Sequence, residues 1–125
     1  MIPTKEYTHK VLSCAYAVHS ALGPGLLESV YEKALVYELS LQGFEVKNQV
    51  PVKIKYKNFE IDEGLRLDLL VDDKLIIELK SVKELLPIHS KQLFTYLKLT
   101  GVELGYLINF NTVHLKDGIE RVVVF

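Results

Sequence analysis

The chain has 125 residues, 49% of them hydrophobic, 25% charged and 10% aromatic; that length suits a single domain, 1–125, and that composition excludes a disordered chain. A formal net charge of -1 excludes a broadly basic surface, so a nucleic-acid phosphate would have to be met by a local basic patch or a metal ion. The single cysteine, Cys14, excludes an internal disulfide and a cysteine-based zinc site and reads as a small buried hydrophobe in a reducing compartment.

The N-terminal stretch MIPTKEYTHK lacks the pattern of a signal peptide, and no apolar run approaches the ~20 residues that a spanning helix needs. No membrane is therefore expected, and the setting is read as cytoplasmic. From Lys5 to Leu22, Val11, Leu12, Ala15, Val18 and Leu22 recur at helical spacing until Gly23-Pro24-Gly25 stops them. A second helix is expected from about Leu26 to Gln42, with Leu27, Val30, Tyr31, Ala34, Leu35 and Leu39 on one stripe and Gly43 at its end. With Gly25 as N-cap, Glu28 becomes the third helical residue, where a carboxylate favours the helix dipole.

The period then shortens. Phe44, Val46, Val50, Val52, Ile54 and Tyr56 alternate with polar residues, and Pro51 marks the strand as an edge or a bulge. Lys53, Lys55 and Lys57 share one face of it and are candidates to track a phosphate backbone, although edge strands also carry lysine against aggregation, which is the preferred reading. A turn at Lys57-Asn58-Phe59-Glu60 leads to strands at about Leu65–Val71 and Lys74–Lys80. A third helix follows Pro87, from about Ile88 to Thr100, and Gly101 ends it. The run LGYLINF (104–110) reads as a buried strand, and Asp117-Gly118 between alternating runs in the tail VHLKDGIERVVVF reads as a hairpin turn. The order predicts an α/β chain: a mixed sheet flanked by helices.

Within RLDLLVDDKLIIELKS (66–81), Leu65, Leu67, Leu69 and Val71 share one face, and so do Leu75, Ile77 and Leu79. Bringing both apolar faces into one core requires a hairpin loop with an odd number of residues, centred on Asp73. Val71 then pairs with Leu75, Leu69 with Ile77, Asp68 with Glu78, and Arg66 with Lys80. Opposed carboxylates repel unless positive charge lies between them. Two readings stay open: a divalent cation held by Asp68 and Glu78, whose hard oxygens suit magnesium or manganese rather than zinc, or cross-strand ion pairs with Lys80 and Arg66 on a solvated face.

Asp68 followed by Glu78-Leu79-Lys80 resembles the Asp…Glu-x-Lys signature of the PD-(D/E)xK nuclease superfamily. GLLESVYE (25–32) matches, at Gly25, Glu28 and Tyr31, the Gly-x-x-Glu-x-x-Tyr pattern of the small standalone GxxExxY proteins in that superfamily, and Gln92 and Tyr96 have the spacing of its Gln-x-x-x-Tyr motif. Leu67 stands where the superfamily's name has proline. The resemblance implies a restriction-endonuclease-like core of helix, three antiparallel strands, helix and strand. It further implies Mg2+ or Mn2+ on Asp68, Glu78 and the Leu79 backbone carbonyl, with Glu28 as an outer ligand. Lys80 would position or deprotonate the attacking water, and Gln92 and Tyr96 would orient Lys80 or touch substrate.

Beside that stand plainer roles: Tyr31 as core, Gln92 and Tyr96 as ordinary packing, and His9, His19, His89 and His114 as surface or capping residues. The implied activity is metal-dependent phosphodiester hydrolysis of nucleic acid, with DNA preferred over RNA. The alternative is a catalytically idle nucleic-acid-binding or assembly module. A small-nucleotide hydrolase would want a glycine-rich phosphate loop, which the chain lacks. Small size and the apolar run VVVF make a homo-oligomer an expectation.

Overall fold

The computed structural model describes residues 1–124. Helix α1 (Lys5–Leu22) starts where the Thr4 hydroxyl accepts the Tyr7 amide at 3.2 Å, and it ends at Gly23, whose φ of 71° suits glycine. Helix α2 (Glu28–Leu41) begins later than its apolar stripe suggests. The Leu26 amide donates to the Tyr31 hydroxyl at 3.1 Å, and that hydroxyl donates to the Gly23 carbonyl at 2.5 Å. Tyr31 thus ties down the Gly-Pro-Gly connection. Leu27 is the N-cap, and Glu28 is the first helical residue rather than the third.

Strands β1 (Val46–Pro51), β2 (Ile54–Tyr56) and β3 (Phe59–Ile61) replace the single long strand expected over 44–56. The break follows from Pro51 and from the Val52 amide, which donates to the Leu65 carbonyl at 2.8 Å and closes the base of a separate β2–β3 hairpin. Next come β4 (Arg66–Val71), β5 (Leu75–Lys80), α3 (Pro87–Thr100), β6 (Leu104–Asn109) and β7 (Ile119–Val123). The main sheet runs in the order β1-β4-β5-β6-β7 and is antiparallel except for β5–β6, which α3 connects in parallel. This mixed sheet flanked by helices is consistent with a restriction-endonuclease-like fold. No helix among the described residues is long and apolar enough to cross a membrane.

Packing on both sheet faces follows the side-chain alternation, with one exception. Leu69, Val71, Leu75, Ile77 and Leu79 pack against Val11, Ala15, Val18, Tyr31, Leu35 and Leu39 of α1 and α2. Ile76 and Leu107 face Leu93, Tyr96 and Leu97 of α3. Leu67, expected beside Leu69, packs on the α3 side instead. The change coincides with an irregularity in the sheet: Gln49 has a φ of 51°, and the β1–β4 pairing that holds at Asn48↔Leu69 and Val50↔Leu67 lapses between them, at Gln49 and Asp68. A left-handed residue inside a strand rotates the residues after it, so β1 changes face at Gln49, and β4 changes face at Asp68 beside it.

The β4–β5 register pairs Val71 with Leu75 and Leu69 with Ile77, across a three-residue turn in which Asp72 and Asp73 have φ of 51° and 56°. Asp72 also anchors its surroundings, accepting the Glu45 amide and the Tyr7 hydroxyl, each at 2.8 Å. Pairing stops before Asp68 and Glu78, contrary to the continuous ladder expected there.

The tail forms no hairpin at Asp117-Gly118. Leu115–Gly118 is a 3-10 turn, and β7 returns antiparallel to β6. Gly118 serves close approach rather than a turn, since a Cβ there would lie 2.3 Å from the Asn109 carbonyl oxygen. Val122, Val123 and Val124 are partly buried against the chain's own two cores, and Phe125 lies outside the described residues. Gly118→Ala should cost about 1–3 kcal/mol, as overpacking against backbone does. Gly105→Ala meets only the Leu93 side chain at 2.9 Å and should cost less. Urea midpoints of the two variants check this, and equal losses would contradict the backbone clash.

Candidate active site

Beyond Leu69–Ile77 the strands β4 and β5 part, and two side chains take over where the ladder stops. The Asp68 amide donates to Glu78 Oε2 at 2.7 Å, and the Leu79 amide donates to Asp68 Oδ2 at 2.8 Å. Backbone amides inside a fold need acceptors, and here carboxylates supply them. Glu78 is only 7% exposed. Its Oε1 carries no hydrogen bond, yet no buried side-chain oxygen among the described residues is left without a partner, so that atom is the part of Glu78 that reaches the surface.

Electrostatics bind these groups together. Burial, and then the Asp68 charge, push the Glu78 carboxyl from the ordinary 4.5 up to about 8. Burial likewise raises Asp68, and burial followed by the Asp68 charge raises Glu28. The Lys80 ammonium acts the other way on all three, so it lies within range of each. Burial and then the charges of Glu78 and Asp68 raise the Tyr96 hydroxyl. Asp68, Glu78, Lys80, Glu28 and Tyr96 therefore share one electrostatic site in which carboxylates outnumber the ammonium.

Among the described residues neither Arg66 nor Lys80 forms an ion pair with Asp68 or Glu78; the Arg66 guanidinium points to the Gln49 carbonyl at 3.5 Å. The cross-strand ion-pair reading fails for that reason. Nor do three or more His, Cys, Asp or Glu side chains converge to hold a metal ion among the described residues. Asp68 and Glu78 have each turned one oxygen to an amide, and Leu79 meets Asp68 through its amide rather than its carbonyl. The donor chemistry nonetheless fits a hard divalent cation: three carboxylates crowd one ammonium, their carboxyl groups are raised first by burial and then by neighbouring negative charge, and one oxygen of Glu78 is free.

Gln92 does not orient Lys80; its Nε2 donates to the Tyr96 hydroxyl at 3.0 Å. That hydroxyl keeps its own proton to donate. His89 caps α3, its Nδ1 accepting the Leu86 amide at 2.9 Å, and His19 lies 2.8 Å from the Thr112 carbonyl oxygen. Lys53 and Lys55 do not share a strand: Lys53 sits in the break and pairs with Glu60 at 3.2 Å, and Lys55 belongs to β2.

Sequence reasoning missed Glu32, Gln49, Ser81 and Asn109. Gln49 Nε2 donates to Glu32 Oε1 at 2.7 Å and lies 3.5 Å from Asp68 Oδ1, joining α2 to β4 across β1. Ser81 donates to the Leu26 carbonyl at 2.6 Å, which brings the start of α2 to the end of β5. Asn109, 2% exposed, holds the following segment through the amide and carbonyl of Val82. Glu32 had a visible signal, lying four residues after Glu28 on the same helix face.

A family model described as the PD-(D/E)XK nuclease superfamily matches residues 5–122. Neither the curated proteins nor the solved structures compared with the chain give a significant match.

Because Glu78 titrates near 8 when folded and near 4.5 otherwise, the folded chain holds a proton between those values that the unfolded chain has released. Stability from this group is full below about pH 4.5 and is lost as pH rises through about 8. In chelator, wild type should therefore lose ~1–3 kcal/mol relative to Glu78→Gln between about pH 5 and 8. Denaturant titrations at both pH values check this, and parallel pH profiles would show that Glu78 is not held protonated.

Proposed function

The chain belongs to the PD-(D/E)XK nuclease superfamily, and on that premise we propose that it is a metal-dependent phosphodiesterase of nucleic acid, with DNA as substrate. Within the superfamily we assign it to the small GxxExxY proteins on Gly25, Glu28 and Tyr31, acting as one nuclease-like domain. A cytoplasmic setting goes with Cys14, which is free and buried.

One observation carries the reading. Asp68 and Glu78 face each other across the parting of β4 and β5, with the Lys80 charge acting on both. In this proposal Asp68, Glu78 and the Leu79 carbonyl hold Mg2+ or Mn2+, and Glu28 serves as an outer ligand. The bound cation supplies positive charge against the phosphate and lowers the pKa of a water. Hydrolysis forms a bond from the water oxygen to phosphorus and breaks a P–O ester bond, with a proton passing to the leaving oxygen. Lys80 positions or deprotonates the water and offsets charge on the phosphate. Tyr96, its hydroxyl oriented by Gln92, offers a proton for hydrogen bonding to substrate.

The second reading, an idle nucleic-acid-binding or assembly module, draws support from the lack of three converging ligands among the described residues. Cleavage assays on single- and double-stranded DNA and RNA, with and without divalent metal, decide between them. Lys80→Ala should lower kcat by about 10²-fold or more while preserving metal binding. Glu78→Gln should weaken metal affinity by calorimetry yet leave the metal-free chain as stable as wild type or more so. A fully active Lys80→Ala enzyme, or undiminished metal affinity in Glu78→Gln, would remove the nuclease reading of this site.

A further inference from the structure

The β2–β3 hairpin stands apart from the main sheet. Its two strands pair only with each other, as a separate two-stranded sheet, an arrangement of marginal stability alone in water. Tyr56 and Phe59 are direct cross-strand partners on one face of its tip, 62% and 68% exposed. Partners in such a pair lie about 5 Å apart at Cβ, so the two rings form one apolar platform in solvent. Two large aromatics at the tip of a short hairpin are poorly placed for the core and well placed for a ligand with flat faces.

The charges around the platform narrow the ligand. Lys57 at the turn places its Nζ 5.5 Å from the Tyr56 ring centroid. Lys55, on the other face of the hairpin opposite Glu60, and Arg66 are exposed and, like Lys57, take part in none of the ion pairs among the described residues; Glu60 is neutralised by Lys53, and the exposed Asp62 and Glu63 are likewise outside those pairs, so the unpaired groups here are three positive against two negative. Rings with an ammonium beside them and a positive balance of unpaired charge around them match a polyanion that presents flat faces. The hairpin also springs from the strands that carry the candidate site. The Val52–Leu65 bond closes its base, and Leu65 is three residues from Asp68, about 10 Å along β4.

We propose that the β2–β3 hairpin is a stacking arm for the unpaired bases of single-stranded DNA, with Tyr56 and Phe59 as the platform and Lys55, Lys57 and Arg66 following the phosphates toward Asp68. This deepens the nuclease reading and rests on it. Paired bases hide their faces in the stack, so the arm favours a single strand over a duplex.

The test uses the full chain in chelator and fluorescence anisotropy with three labelled probes of equal length: an oligothymidylate, an abasic single strand and a duplex. Wild type should bind the oligothymidylate about tenfold or more tighter than the abasic strand, and tighter than the duplex. Tyr56→Ala/Phe59→Ala should reduce oligothymidylate binding to the abasic level, while Tyr56→Phe keeps it. With magnesium added, the double variant should raise KM about tenfold at unchanged kcat. Equal binding of thymidine and abasic strands, preference for the duplex, or a double variant that binds as wild type does would overturn the arm. So would a wild-type dimer, seen by sedimentation, that the double variant loses. Cleavage with KM unmoved by the double substitution refutes the arm alone and leaves the nuclease reading standing. Absence of both binding and cleavage on every nucleic acid removes the nuclease reading, and the arm with it.

Discussion

A buried carboxylate, Glu78, and a half-buried one, Asp68, within reach of a single ammonium are the constraint around which this fold is arranged. Burying a carboxylate is costly unless it is hydrogen-bonded or meets positive charge. Here Asp68 and Glu78 each accept a backbone amide in place of a strand ladder, and Lys80 offsets only part of their charge. That exchange is possible only because β4 joins β5 at Leu69 and not before it. The late joining in turn matches the change of face at Asp68, opposite the left-handed Gln49.

The surrounding elements serve the same place from several directions. Tyr31 stacks on Phe110 at 4.6 Å between ring centroids and fastens the Gly-Pro-Gly connection, so the first turn of α2 is set by the core rather than by a polar cap. Ser81 then ties Leu26 to the end of β5, which delivers Glu28 to the carboxylates. From the opposite layer α3 brings Tyr96 against the same charges, with Leu93 and Leu97 buried beside it as its footing on the sheet. Of the site's side chains, Tyr96 belongs to the core under α3.

Much of this was legible because side-chain alternation is strict where both faces are buried. The odd-numbered loop after Val71, and the partners Leu69–Ile77 and Val71–Leu75, followed from bringing Leu75, Ile77 and Leu79 into one core. The same rule failed at Leu67, because it assumes regular dihedrals and nothing in the residue type of Gln49 announces a positive φ. Asp117-Gly118 misled for a related reason: glycine permits a tight turn and also permits close approach, and only the position of the Asn109 carbonyl separates the two. Gathering Asp68, Glu78, Lys80 and Glu28 needed the motif spacings. Their present bonding to amides depends on where the strands part, which the one-dimensional pattern does not encode.

The isolation of the β2–β3 hairpin gives the molecule a gradient of kinetic protection. Strand β5 is central, with hydrogen-bonded neighbours on both sides, and its residues Leu75 to Leu79 are buried. Amides there exchange with solvent only through openings close to global unfolding, whereas those of β2 and β3 are released by separating two three-residue strands. The chain thus couples its stiffest segment, which carries Glu78 and Lys80, to its softest through the few residues between Leu65 and Asp68. Conformational entropy surrendered on contact at the tip need not disturb the charges at the base.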